Sequence, residues 1–328
     1  MSIFLKQASG PSAMAFHPVK SPFFEQGTCE SLGFESSLDL NEAPVIGIVS
    51  QKIYFSHPED HRFDNYTSFI MGAYVNFVES AGAQVIPLVF DEPEQVTLDK
   101  LSKINGVLLP GGGGDYMDIG KLIHETIVSY NDNGTYYPEW GTCLGFERLA
   151  IFTASDPDNV LDHYGSQHES LSLDFRGKDP RASKMFCDAS EETIELFQSK
   201  KQTYNNHQYS IHPEKFESDQ GLRQFWEVTS VSRGEASGSV EFVASMESKD
   251  YPIMATQFHP EKPTQVWKAK GVDHSWESIQ QNRHFADKLV KMARQNGNSF
   301  EDFEELQSLL VSNHPFFNTK EEEGIFVF

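Results

Sequence analysis

Short apolar runs alternate with amphipathic stretches through the first half of the chain. Pro44-Val45-Ile46-Gly47-Ile48-Val49-Ser50 is such a run, the pattern of a parallel strand buried on both faces. Residues 68–81 read as a helix. Phe69, Ala73 and Phe77 share one stripe, Ile70, Tyr74 and Val78 lie beside it, and Gly82 stands where a helix ends. Residues 84–89 predict a second strand, which Pro87 places near a sheet edge or a strand end. Residues 93–103 predict a helix, broken by Asn105-Gly106. Val107-Leu108-Leu109 is a third strand, running into Pro110-Gly111-Gly112-Gly113-Gly114. A helix then reaches about Tyr130, and a turn at 131–134 leads to Trp140-Gly141-Thr142-Cys143-Leu144-Gly145-Phe146-Glu147. Strands alternating with helices predict an α/β fold with a mostly parallel sheet and right-handed crossovers.

After Ala150 the pattern loosens into shorter pieces. Residues 241–246 and 253–258 read as a strand pair joined across 249–252. Residues 275–295 form a long amphipathic helix, 300–311 a short one, and an extended tail follows. Residues 1–42 mix Ser, Gly, Pro and Phe without sustained periodicity and read as a loosely ordered arm. Residues 43–328 read as one domain.

Charge and composition narrow the partners. A formal net charge of −22 over 328 residues argues against nucleic acid. No apolar run approaches the ~20 residues of a membrane span, and the N-terminus lacks an apolar signal-peptide core. The three cysteines are too few for a disulfide scaffold. With Cys143 taken as a nucleophile, only Cys29 and Cys187 remain to pair, and the sequence leaves that open. Asn65-Tyr66-Thr67 and Asn133-Gly134-Thr135 are glycosylation sequons and lend a secretory route weak support.

The candidate chemistry centres on Gly141-x-Cys143-x-Gly145, the thiol version of the nucleophile elbow. Its glycines let strand and helix approach closely around one strained residue. The following helix aims its free N–H groups and positive dipole end at the sulfur, which favours thiolate. The competing reading is a small buried core cysteine. A thiol nucleophile needs a base and an orienting group. The tetrapeptide His-Pro-Glu-Lys occurs twice, at 212–215 and at 259–262. The second copy follows an apolar strand directly, so His259 emerges at a strand's C-terminal edge, where α/β sheets place ligands. In an extended segment His259 and Glu261 point to one side, so Glu261 can hold the ring. His212 follows a polar stretch and reads as a surface loop histidine. For an oxyanion hole, Leu144 N–H is one donor and the Gly111–Gly114 run, through Gly112, supplies the other. No Gly-Lys-Ser/Thr follows that run, so it is a poor phosphate loop. His57 with His61, or His207 with His212, are the candidate metal pairs. Without His-Glu-x-x-His or Cys-x-x-Cys, no metal site is expected.

These motifs resemble the γ-glutamyl hydrolases, the folate-polyglutamate hydrolases of the class I glutamine amidotransferase-like group. The strings that carry the likeness are Pro44 to Ile48, the 73–83 segment, Leu109-Pro110-Gly111-Gly112, Trp140 to Glu147, and Gln257-Phe258-His259-Pro260-Glu261-Lys262. It continues through Trp267 to the Phe-rich tail. The resemblance implies a three-layer α/β/α, flavodoxin-like fold and a Cys143–His259–Glu261 triad without a cofactor. It places His207, in Asn206-His207-Gln208-Tyr209-Ser210, as a substrate contact. It also implies folate poly-γ-glutamates as substrate, a homodimer, and a vacuolar, lysosomal or extracellular address. The same triad serves glutaminases that feed ammonia to a synthase, which is the alternative function. A binder without turnover is a third. A polyglutamate tail needs cations, and Lys52, Arg62, Arg148 and Lys262 adjoin the motifs in sequence.

Overall fold

The computed structural model describes residue 29 and residues 40–54, 61–163, 165–235, 238–319 and 324–328. Most of the arm expected over 1–42 lies outside these residues. The chain runs β1 (Val45–Val49), β2 (Gln51–Lys52), β3 (Ser68–Met71), α1 (Gly72–Ser80), β4 (Gln84–Leu88), α2 (Glu94–Leu101), β5 (Gly106–Leu109), α3 (Met117–Asp132), β6 (Glu139–Thr142) and α4 (Leu144–Thr153). Then come β7 (Ser166–Leu171), α5 (Glu191–Ser199), β8 (Thr203–His207), α6 (Pro213–Ser218), α7 (Gln220–Phe225), β9 (Trp226–Gly234), β10 (Val240–Ser248) and β11 (Ile253–Thr256). The last elements are α8 (Lys262–Gln265), α9 (Trp276–Ala293), α10 (Phe303–Leu309), β12 (Phe316–Phe317) and β13 (Ile325–Val327).

The central sheet has the order β4-β1-β5-β6-β11-β10-β9. It is parallel from β4 to β11, and β10 and β9 extend it antiparallel. Its strands alternate side chains between two cores. Ile46, Ile48 and Leu108 face one core with Tyr74 and Val78 of α1 and Phe285 and Leu289 of α9. Val45, Val49, Val107 and Leu109 face the other with Ile123 of α3 and Phe146 of α4. The layers are therefore α/β/α, as the family resemblance implies, around the mostly parallel sheet that the alternating pattern predicts. Pro87 lies in the edge strand β4, where its missing N–H breaks no ladder.

One element differs from its sequence pattern. The helix expected over 68–81 begins only at Gly72, and Ser68–Met71 is a strand. That strand pairs antiparallel with the chain's last strand, Met71 opposite Ile325 and Phe69 opposite Val327. Local periodicity carries no information about a partner 254 residues away, so the apolar stripe by itself does not mark where the helix starts. Gly72 marks the switch. Its N–H donates to Gly324 O at 2.8 Å, and a Cβ there would lie 2.9 Å from the Phe316 ring.

Cys29 and Cys187 form a disulfide across 158 residues of sequence. The pairing that the sequence left open is thus made, and Cys143 is the free thiol.

Candidate active site

Cys143 is the single residue between β6 and α4, with φ 52° and ψ −104°. Such a left-handed backbone is costly for a residue with a Cβ and needs enforcement by its surroundings. The flanking glycines allow it. A Cβ on Gly141 would lie 2.7 Å from the Gly145 carbonyl, and one on Gly145 only 2.1 Å from Leu109 O. Cys143 N–H donates to Thr256 O at 2.8 Å, which ties the turn to β11.

Cys143 is 5% exposed, and burial pushes the thiol well up. The negative charges of Glu147 and Glu261 push the same way, while Lys262 and the Leu144 N–H oppose them. The helix-end preference for thiolate expected from sequence is therefore outweighed by burial. The resting group is a thiol that needs a base.

His259 lies three residues beyond β11, with its Nδ1 2.8 Å from Glu261 Oε1. Burial pulls the imidazole below its ordinary range, with Glu261 opposing. Burial alone would raise the Glu261 carboxyl, but His259 and then Lys262 hold it low. An ionised carboxylate only accepts, so the neutral ring carries its proton on Nδ1 and presents a bare Nε2. The segment is not extended as expected. Glu261 has helical φ and ψ of −75° and −22° and leads into α8, so a turn, rather than strand alternation, brings the two side chains together.

Gly111 connects nucleophile and base. A Cβ there would touch Cys143 Cβ at 2.9 Å and His259 Cε1 at 2.8 Å, so both side chains flank the same point. The glycine loop is pinned by two residues that sequence reasoning missed. Gly111 N–H donates to Tyr74 Oη at 2.8 Å, and Tyr74 Oη lies 3.3 Å from His259 Nδ1. Gln51 Nε2 donates to Gly111 O at 2.7 Å, and Gln51 Oε1 accepts from Gly114 N–H at 3.1 Å. Gly112, at φ +145°, sits between these anchors, and a Cβ there would fall 2.2 Å from Gln51 Oε1. The one signal for Tyr74 was a hydroxyl on an otherwise apolar stripe. Gln51 had only its place directly after an apolar strand.

His207 ends β8, buried, with its ring edge-on to Phe242. Its Nδ1–H donates to Tyr209 O at 2.8 Å, so Nε2 is the bare acceptor, and no partner for it is found among the described residues. Burial pulls its pKa down to about 3, and His259 adds to the effect. His212 lies in the loop just before α6, half-buried. It caps α6, its Nδ1 accepting from Glu214 N–H at 3.2 Å. Of the candidate metal pairs, His207 and His212 each bond backbone groups, His61 bonds Asp64 at 2.9 Å, and His57 lies outside the described residues. Of the four cations, Lys262 is buried beside the site and Arg148 reaches Asp115 at 3.8 Å. Arg62 lies over Phe63 and Phe317, and Lys52 is exposed.

Residues 61–276 match the model of the glutamine amidotransferase class-I family. The γ-glutamyl hydrolase of Rattus norvegicus is 34% identical over 284 residues, covering 84% of this chain and 86% of the rat protein. γ-Glutamyl hydrolase B of Dictyostelium discoideum is 33% identical, covering 88% of this chain and 84% of its own length. γ-Glutamyl hydrolase 1 of Arabidopsis thaliana is 33% identical, covering 93% of this chain and 85% of its own length. A class I amidotransferase match over two-thirds of the chain and near-full-length likeness to these three proteins lead to one assignment: the chain belongs to the γ-glutamyl hydrolase family of the class I glutamine amidotransferase group.

Proposed function

We propose that this protein hydrolyses γ-glutamyl bonds of folate poly-γ-glutamates through a thioester on Cys143. The observation that carries the reading is a buried thiol beside a histidine whose far nitrogen is bare and whose near nitrogen bonds a carboxylate at 2.8 Å. His259 Nε2 takes the Cys143 proton as sulfur attacks the γ-carbonyl carbon. The carbonyl oxygen gains charge and is met by the N–H groups of Leu144 and Gly112. The C–N bond breaks, and the leaving α-amine takes the proton from the imidazolium. Water then gives a proton to His259 and attacks the thioester, which releases a γ-carboxylate and restores the thiol. Glu261 keeps the ring oriented through both half-reactions. His207 offers a neutral acceptor to a substrate N–H, since its pKa of about 3 leaves it uncharged.

The reading assigns residues 43–328 to catalysis. It places the protein in a vacuolar, lysosomal or secreted setting, for which the Cys29–Cys187 disulfide is support. The test is incubation with pteroyl-penta-γ-glutamate, with products separated by chromatography. Wild type is expected to yield shortened folates, and Cys143→Ala none, with its circular dichroism unchanged. Turnover of free glutamine with the pentaglutamate left intact would instead assign a glutaminase.

A further inference from the structure

The two halves of the site meet at one carboxylate that the mechanism above does not use. Glu147 sits in the first turn of α4, 7% exposed, and its N–H donates to Cys143 O at 3.0 Å. Gln257, the first residue after β11, donates its Nε2–H to Glu147 Oε1 at 3.2 Å. Gln257 is itself fixed through its backbone N–H to Ala244 O at 2.8 Å. The helix that carries the nucleophile is thus bridged to the strand end that carries the base. A neutral amide at 147 would make the same bridge, so the bridge alone does not call for a carboxyl group. Burying an ionisable group costs free energy that a neutral one avoids.

We propose that Glu147 is a positioning residue with a second, electrostatic role. It holds the bridge to Gln257 in both protonation states, and its negative charge, when present, opposes formation of the Cys143 thiolate. Its protonation therefore sets the pH range over which His259 draws the thiol proton. This rests on Cys143 being the nucleophile, as proposed above.

The charged and titratable groups around the pair are few. They are Arg148 on α4, Tyr116 before α3, Tyr74 on α1, and His259, Glu261 and Lys262 beyond β11. After burial, Glu147 is the strongest influence raising the Cys143 thiol. Burial lifts the Glu147 carboxyl to about 7, against Gln257 and Arg148. Burial holds His207 near 3, while Glu147, near 7, is an acid on the helix of Cys143 whose charge changes near neutrality.

The test uses the full chain and iodoacetamide, whose iodide the thiolate displaces. Cys29 and Cys187 are paired, so the reagent reports Cys143. In wild type the logarithm of the alkylation rate is expected to rise with pH, flatten as Glu147 ionises near 7, and rise again. In Glu147→Gln it should rise without the plateau. It should match wild type at pH 5.5 and exceed it several-fold at pH 8. Two curves offset by one factor at every pH would mean a merely structural role and overturn the proposal. Should Glu147→Gln not fold, the wild-type plateau decides by itself, and a straight profile counts against it. Alkylation consumes no γ-glutamyl substrate. A plateau in a protein that cleaves no pteroyl-polyglutamate would thus uphold this inference while removing the proposed function.

Discussion

Cys143 is held at φ 52° by glycines on either side, and its sulfur is served by groups from four distant segments. Gln51 and Tyr74 immobilise Gly111 and Gly114, which leaves the Gly112 peptide turned between two fixed points. A methyl group at 112 would collide with Gln51 Oε1 in a backbone region that glycine favours. Gly112→Ala is therefore expected to lower kcat by about 10²–10³, the usual cost of losing one oxyanion donor, with KM little changed. Steady-state kinetics on a pteroyl-polyglutamate checks this, and an equal rise in KM would argue against the oxyanion role. The elbow around Cys143 and the pairing of His259 with Glu261 were legible because each is built from residues a few positions apart. Tyr74 and Gln51 were not, since they act on residues 37 and 60 positions away.

At the scale of elements, the elbow works because α4 leans on β5 as well as on its own strand. Gly145 is the contact point, and any Cβ there meets the Leu109 carbonyl, a backbone atom that cannot swing aside. Gly145→Ala is expected to destabilise the fold by about 1–3 kcal/mol through overpacking. Gly297→Ala is the control, since a Cβ there meets nothing within 4 Å. Urea midpoints measured on both would show the difference, and equal midpoints would contradict the packing account. The strands β1, β4 and β5 were legible as short apolar runs because parallel strands are buried on both faces. The segment 68–71 was not, because a strand and one turn of an apolar helix look alike until the partner, β13, is known.

For the whole molecule, the sheet sets the base and the nucleophile on adjacent parallel strands, β11 and β6, so that both emerge at the same edge. The disulfide ties residue 29 to residue 187, which leads into α5, and Lys288 of α9 lies 3.5 Å from Cys187 Sγ in an ion pair with Asp188. Closing so long a loop restrains the unfolded chain, so Cys187→Ser is expected to lose about 2–4 kcal/mol of stability. Equilibrium unfolding without reductant checks it, and reductant should bring wild type down to the variant. What the sequence by itself determined was local: the alternation that makes an α/β sheet, the glycine spacing of the elbow, and the His-Pro-Glu-Lys string after a strand. Each is a pattern over a few residues, readable from backbone geometry and side-chain type. The tertiary structure alone decided that β3 pairs with the last strand, that Cys29 meets Cys187, and that a turn aims Glu261 at His259. It also decided that burial raises the Cys143 thiol against the helix-end N–H of Leu144. The reason is common to all four: burial and pairing depend on atoms brought close by folding, and no local pattern encodes how far a charge sits from water.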